Sequence, residues 1–113
     1  MKIKEIIEKL KLKLLTGQKN LDVEVTGGYT SDLLSDVIAN SKEGNLWITL
    51  QTHQNIIAVA KLKDLAGIII VNNREPDEDA LKKAKEENVP ILCTEAMAFE
   101  VSGRLYKLMG VKE

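Results

Sequence analysis

Three predicted strands of this chain are each followed by polar side chains that can bind a small molecule. The carboxyl ends of parallel strands meet at one edge of an open α/β sheet, and ligands collect at that edge. Hydroxyl, imidazole, amide and guanidinium groups there can form specific hydrogen bonds with a polar or anionic ligand. We therefore expect a binding site built from the residues that follow the three strands. These residues are Thr52, His53, Asn72, Asn73, Arg74 and Thr94.

The helices that follow these strands differ in the charge of their first turns. Free backbone N–H groups and the helix dipole attract anions to a helix N-terminus. Two helices are predicted to begin with acids, residues 77–79 and Glu95, which repel a phosphate or carboxylate. The helix after Thr52 begins with residues 53–55 and carries no acid there, so an anionic group is expected at that helix, within reach of Arg74. The alternative is an ordinary capped helix covered by water.

His53 is the only histidine and Cys93 the only cysteine of the chain. Without an HxxxH or HExxH pattern or a Cys/His cluster, neither a metal site nor a cofactor is predicted. A small enzyme that uses His53 with Glu95 or Asp36 as acid and base is the least favoured function, because no oriented nucleophile accompanies them. Cys93 lies in an apolar segment and is predicted to be a core residue.

The pair Gly27-Gly28 has two interpretations. It belongs to neither a GxxxxGK[ST] nor a GxGxxG pattern, so it does not predict a phosphate-binding loop. Adjacent glycines allow positive φ angles and close approach of the backbone to a ligand or a neighbouring chain, which makes Gly27 and Gly28 candidate ligand contacts. They also predict a bend or bulge in a strand, and the bend is the interpretation favoured from the glycines alone.

Composition limits the class of protein. The chain has 113 residues, a length that predicts one globular domain over residues 1–113. It contains 16 Lys and Arg and 17 Asp and Glu, and the resulting net charge of −1 argues against a nucleic-acid-binding protein. No apolar run approaches the roughly 20 residues that a membrane span needs, so no membrane partner is expected. One cysteine and no export signal predict a cytoplasmic protein.

The first part of the chain alternates short predicted elements. Apolar residues at helical spacing predict an amphipathic helix over residues 2–10, and a short strand over 12–15 leads to a turn at Thr16-Gly17. Strict alternation of apolar and polar residues over 21–25 predicts a half-buried strand. Ser31 and Asp32 are typical of the cap and first turn of a helix, which is expected to extend to about Ala39.

The rest of the chain is more regular. An apolar segment without alternation, Gly67 to Val71, is typical of a strand that is covered on both faces. It lies in a β-α-β-α-β-α order, which predicts parallel strands. The fold class is therefore α/β: a three-layer single domain with a mainly parallel sheet flanked by helices. The predicted strands are Leu46–Leu50, Gly67–Val71 and Ile91–Cys93, and the predicted helices cover 53–65, 76–88 and 94–109.

The last predicted helix has two apolar faces. One of them must cover the sheet, and the other contains Phe99, Gly103 and Tyr106. A second aromatic face on a small domain is a candidate interface, and twofold dimers are the commonest oligomers, so we expect a homodimer. The alternative is burial of both faces within one chain. The face expected to cover the sheet comprises Ala98, Val101, Leu105 and Leu108.

Several ordered segments together resemble one known family. Residues 26–37, followed by 46–53, 67–73 and 90–92 and by the final helix, are similar to the DRTGG domain family. The five residues that name the family are present here as Glu24-Val25-Thr26-Gly27-Gly28. The Asp and the Arg of the family motif are thus absent from this chain.

The resemblance, which covers about residues 1–110, implies an α/β domain similar to the N-terminal domain of the HPr kinase/phosphorylase. Related domains accompany CBS domains, some phosphotransacetylases and an ATPase domain as sensing or assembly modules. One function is therefore a non-catalytic regulatory module that binds a small polar or anionic ligand, such as a nucleotide, and self-associates. Stand-alone members occur with iron hydrogenases, so the alternative is an assembly domain that contacts a partner enzyme of an anaerobic redox system.

Overall fold

The computed structural model describes residues 1–110, and the last three residues of the predicted domain, 111–113, lie outside the described residues. The described part of the chain forms five strands, five α-helices and one 3-10 turn. None of its helices has the length and apolar character needed to cross a membrane. In chain order the elements are α1 (Ile3–Leu10), β1 (Lys13–Thr16), the 3-10 turn (Gln18–Asn20), β2 (Gly27–Thr30), α2 (Leu34–Asn40), β3 (Asn45–Thr49), α3 (Asn55–Leu62), β4 (Gly67–Ile70), α4 (Glu78–Glu87), β5 (Ile91–Cys93) and α5 (Ala98–Leu108).

The five strands form one sheet in the order β1-β5-β4-β3-β2. Strands β2 to β5 pair in parallel, whereas β1 pairs antiparallel with β5. All four residues of β4 are buried, as expected for an interior strand with helices on both sides. The predicted parallel core and its covered middle strand are therefore confirmed.

Helices cover both faces of the sheet and make three layers. Side chains of α1 and α5 form one buried cluster with one face of the sheet, and side chains of α2, α3 and α4 form a second cluster with the other face. Within β3 the side chains alternate between the two clusters: Leu46 and Ile48 belong to the first and Trp47 to the second. This arrangement confirms the predicted three-layer α/β fold.

The strand predicted over residues 21–25 is wrong. This segment crosses the start of α1 instead, where the N–H of Ile3 donates to the carbonyl of Val23 and the N–H of Val25 donates to the carbonyl of Met1. Only one isolated bridge, between Lys2 and Glu24, has strand-type pairing. The alternation of apolar residues therefore reflects partial burial of an irregular segment against α1.

The strand lies a few residues later and includes the glycine pair. In β2, Gly27 aligns with Asn45 and Gly28 with Leu46 of β3, so the interpretation of the glycines as a bend is also wrong. A Cβ on Gly28 would lie 2.8 Å from a methyl group of Leu105. The absence of a side chain at Gly28 thus allows α5 to pack closely on β2.

Two predicted helix starts are wrong because side chains and carbonyls there have tertiary partners. Asp32 does not begin α2, which starts at Leu34; its carboxylate accepts hydrogen bonds from the Thr49 hydroxyl at 2.9 Å and from the N–H of Leu50 at 2.7 Å. Helix α5 starts at Ala98 rather than after Thr94. The intervening segment hydrogen-bonds with the loop that follows β4, and this pairing keeps it out of the helix.

A hydrogen-bonded cluster holds α2 on the sheet. The Tyr29 hydroxyl and the Asn40 amide each donate to the Asp36 carboxylate at 2.8 Å. Hydrogen bonding from Ser31, followed by that from Asn40 and Tyr29, holds the pKa of Asp36 below its usual value. The same carboxylate raises the pKa of Tyr29, because its hydroxyl proton is used in the hydrogen bond.

Candidate functional site

The loops after β3, β4 and β5 are joined to one another by backbone hydrogen bonds. The N–H of Asn73 donates to the carbonyl of Thr94 at 2.9 Å, and the N–H of Asp77 donates to the carbonyl of Thr52 at 3.0 Å. The structure thus brings the three polar loops to one edge of the sheet. This edge is where open α/β sheets bind ligands.

Asn72 and Asn73 shape the middle loop. Both have left-handed backbone conformations, with φ of 62° and 56°, which asparagine tolerates better than most residues. The N–H of Asn72 donates to the carbonyl of Ala96 at 2.9 Å. Because these contacts fix the backbone of the loop, both asparagine side chains are held at the exposed edge of the sheet.

A cavity of about 560 Å³ opens at this edge, between β1, β5 and the loop that connects β4 to α4. Three of the predicted site residues line it: Asn73, Arg74 and Thr94. We call it the edge cavity. Its size lies within the usual range for small-molecule sites, about 300–1,000 Å³.

Lys11 and Lys13 also line the edge cavity, and the sequence prediction missed both. Lys13 aligns with Cys93 in the antiparallel pairing of β1 and β5, so the start of β1 lies beside the end of β5. Lys11 is the C-cap of α1, with φ of 55°, and connects that helix to β1. The sequence signal was the alternation of lysine and leucine over residues 11–14, but it does not reveal the direction in which the strand pairs.

The walls of the edge cavity contain both charged and apolar side chains. Three cationic side chains lie there with the carboxylates of Glu75 and Glu95, so the lining has a net charge of +1. Glu95 therefore belongs to the cavity and not to the first turn of α5, where it was predicted. The apolar part of the wall consists of Leu15, Pro76, Leu81 and Cys93.

Cys93 differs from its predicted role as a core residue. It is half-buried, packs against the second apolar cluster and faces the edge cavity. Burial raises the pKa of its thiol, the Glu75 carboxylate acts in the same direction, and Lys13 opposes them. The thiol is therefore protonated near neutral pH, and protonated thiols are poor nucleophiles.

Thr52 and His53 do not line the edge cavity. His53 is exposed, and its Nε2 lies 4.0 Å from a carboxylate oxygen of Asp77 at the start of α4. The helix end that was selected for its lack of acids thus has an acid from a neighbouring helix beside it. The placement of an anion at Thr52 and His53 stays a prediction.

Gly27 and Gly28 lie away from the edge cavity. They line a smaller cavity of about 150 Å³ together with Ser102, Leu105 and Tyr106. The close approach that the glycines allow is used by α5, as the contact between Gly28 and Leu105 shows. Their role as ligand contacts stays a prediction.

Within residues 1–110, no group of three or more His, Cys, Asp or Glu side chains is arranged to hold a metal ion. The cationic part of the edge cavity is instead suited to anions. Hydrogen bonds from Lys and Arg to phosphate or carboxylate oxygens are stronger than those between neutral groups. The arrangement can therefore bind an anion next to an apolar surface.

Comparisons with known proteins give a family and a fold. The model of the DRTGG domain family matches residues 5–108. No curated protein matches the chain. A crystal structure of the CBS and DRTGG domains of the regulatory region of Clostridium perfringens pyrophosphatase, in complex with the activator diadenosine tetraphosphate, superposes with a TM-score of 0.71 at 15% identity.

The extent of these two matches decides what each of them shows. The alignment with the pyrophosphatase structure covers 92% of this chain and 45% of that chain, so this chain spans less than half of its length. At 15% identity the likeness is one of fold. The family model, by contrast, matches nearly the whole sequence. The chain belongs to the DRTGG domain family.

Proposed function

We propose that this chain is a non-catalytic regulatory module that binds a small anionic ligand, with a nucleotide as the leading candidate, and that it works as a homodimer. The observation that carries the ligand proposal is the edge cavity, where Lys11, Lys13 and Arg74 lie beside an apolar wall. Lys11 and Lys13 lie two positions apart where α1 leads into β1, whereas Arg74 comes from the distant β4–α4 loop. Only the folded chain assembles them.

The two kinds of wall match the two parts of a nucleotide. The cationic side chains can bind phosphate oxygens through charge-assisted hydrogen bonds. Leu15, Pro76 and Leu81 supply an apolar surface for a base. The Asn73 amide and the Thr94 hydroxyl at the rim can select among ligands by hydrogen bonding.

The structural relative supports the choice of ligand class. The regulatory region of Clostridium perfringens pyrophosphatase is described in complex with diadenosine tetraphosphate, an activator that contains both bases and phosphates. That region contains CBS domains as well as a DRTGG domain. We propose for this chain the regulatory role and the nucleotide class of ligand that are described for that relative. The position of the proposed site rests only on the edge cavity of this chain.

The environment of the titratable side chains supports a binding function over a catalytic one. His53 has 74% of its side chain exposed, with the Asp77 carboxylate 4.0 Å away. Asp36 accepts hydrogen bonds from Tyr29 and Asn40, which engage the carboxylate in holding α2. The His53 imidazole is thus largely in contact with solvent and the Asp36 carboxylate is already used to hold α2, whereas acid–base catalysis needs a group that is positioned to reach the transferred proton.

The exposed aromatic residues of α5 support the homodimer and also favour the alternative function. Phe99 and Tyr106 are exposed large apolar side chains on one helix. Such surfaces are used in protein association. In the alternative, this face forms the homodimer, whereas the polar edge of the sheet contacts a partner enzyme of a hydrogenase-type redox system and binds no metabolite.

Calorimetry with AMP, ATP and diadenosine tetraphosphate tests the ligand proposal. We expect at least one of them to bind, and we expect Lys13→Gln and Arg74→Gln each to weaken its affinity about tenfold, because each removes one charge-assisted hydrogen bond. Lys42→Gln is the matched control, since Lys42 is exposed and lies just before the amino end of β3, whereas the edge cavity lies at the carboxyl end of β5. Its affinity should equal that of the wild type.

The outcomes distinguish the possible sites. If Thr52→Ala and His53→Ala weaken binding while Lys13→Gln and Arg74→Gln do not, the ligand lies at the start of α3 and the edge cavity is the wrong site. If none of the three nucleotides binds or raises the melting temperature, the nucleotide proposal is refuted. A ligand at 100 times its Kd adds about 2.7 kcal/mol of stability, which a thermal-shift assay detects easily.

A further inference from the structure

The outward face of α5 is apolar and has a gap in the middle. Phe99 is 92% exposed and Tyr106 is 52% exposed. Between them Gly103 has no side chain, and a Cβ at that position would meet nothing within 4 Å. The result is an open groove of about 530 Å³. A small residue at the centre of an apolar helix face allows another helix to approach its backbone closely.

The charges beside the groove indicate what fits it. Glu100 and Lys107 have opposite sign and are seven residues apart, which places them on the same side of the helix, two turns from each other. In an antiparallel pair of α5 helices that cross near Gly103, Glu100 of each copy lies opposite Lys107 of the other. In a parallel pair related by a twofold axis, the charged flanks of the two helices would lie on opposite sides of the interface, and Glu100 would not face Lys107. In the antiparallel arrangement that a twofold axis produces, Glu100 lies between Arg104 of its own helix, 3.7 Å away, and Lys107 of the other copy, so the face is complementary to itself at this contact.

We propose that α5 of a second copy of this chain packs antiparallel on this face. The two helices cross at Gly103, Phe99 of each copy packs against Tyr106 of the other, and Glu100 pairs with Lys107. This inference rests on the homodimer in the proposed function and names its surface. Charged pairs at the flanks of packed helices determine partner and orientation more than affinity, whereas the aromatic residues supply most of the binding energy.

Phe99→Asp tests the surface by sedimentation equilibrium. We expect the wild type to be a dimer with twice the 12.6 kDa mass of the chain. Because a buried aromatic anchor is replaced by a charge, the variant should associate about thirtyfold more weakly. Leu62→Asp is the matched control, since Leu62 is 67% exposed on α3 in the opposite layer, and its dimer should be unchanged. Circular dichroism spectra verify that both variants fold.

Charge reversal tests the antiparallel orientation. Glu100→Lys and Lys107→Glu each place like charges opposite one another, so each variant alone should associate several-fold more weakly than the wild type. An equimolar mixture of the two variants should form a heterodimer with the wild-type affinity, because both contact pairs then join opposite charges. The differences should decrease at high salt, as expected for exposed charges.

Each result has one meaning. A monomeric wild type at high concentration overturns both the homodimer and this surface. A dimer that tolerates Phe99→Asp as well as Leu62→Asp overturns the α5 surface, while the homodimer of the proposed function stands. A mixture of Glu100→Lys and Lys107→Glu that associates no more tightly than either variant alone overturns the antiparallel orientation.

Discussion

Thr16 connects β1 to β5 and thereby positions Lys13 in the edge cavity. It is fully buried, its hydroxyl donates to the carbonyl of Val89 at 2.7 Å, and the same oxygen accepts from the N–H of Ile91 at 3.0 Å. The strand pairing shifts register at this residue, so a side chain replaces part of the backbone ladder. Thr16→Val retains the shape of the side chain and removes both hydrogen bonds.

The expected cost follows from the two groups that lose their partner. A buried polar group left unsatisfied costs about 1–3 kcal/mol, so the loss of both bonds should lower the free energy of unfolding by about 2–6 kcal/mol. That is a large part of the roughly 5–15 kcal/mol that stabilises a typical domain. For a chain of this length the melting temperature should fall by about 8–24 °C.

Urea denaturation monitored by tryptophan fluorescence measures this effect. Trp47 is the only tryptophan and is fully buried, so its emission reports unfolding of the core. The midpoint should decrease with an unchanged m value at equal protein concentration. Thr16→Ser, which keeps the hydroxyl, is the control and should cost about 1 kcal/mol. A Thr16→Val variant within about 0.5 kcal/mol of the wild type refutes the argument, since only surface substitutions have effects that small.

Two further predictions concern the glycine pair and acid stability. In the same denaturation assay, Gly28→Ala should lower the free energy of unfolding by about 1 kcal/mol, because its Cβ would lie 2.8 Å from a leucine methyl group of α5. Gly27→Ala should be neutral or stabilising, because its Cβ would meet only an amide nitrogen at 3.5 Å. Equal losses of stability in the two variants would contradict this explanation. Hydrogen bonds from Ser31 and, with a smaller effect, from Tyr29 help to hold the pKa of Asp36 below 3.8. The Asp36 carboxylate therefore stabilises the fold above pH 3.8, and this contribution is lost as the pH falls through the lowered pKa. NMR titration should show that Tyr29→Phe raises the pKa of Asp36 towards 3.8, and an unchanged pKa would show that the hydroxyl has no effect on it.

Much of the fold could be predicted because local residue patterns specify its helices and strands. The non-alternating segment Gly67 to Val71 predicted a strand covered on both faces, and β4 is fully buried. Pro76 and the acids after it predicted the start of α4, which begins at Glu78 with Asp77 as its N-cap. These signals depend on residues that are close together in the sequence.

The candidate site could be predicted only in part. The loops after β4 and β5 do meet, and Asn73, Arg74 and Thr94 line one cavity. The lysines of that cavity were missed because their position depends on how β1 pairs with β5. Periodicity identifies a strand, but it contains no information on the direction of pairing.

The sequence by itself determined the order of the elements from β3 to α5, the α/β class and the family, because helix and strand patterns and ordered motifs are properties of neighbouring residues. The tertiary structure decided that β1 pairs antiparallel with β5 and brings Lys13 beside Cys93. It also decided that Gly28 forms part of a strand, since Leu105, which lies 77 positions later in the chain, packs against it. Such contacts join residues far apart in the sequence, and their energies arise only when the chain is folded.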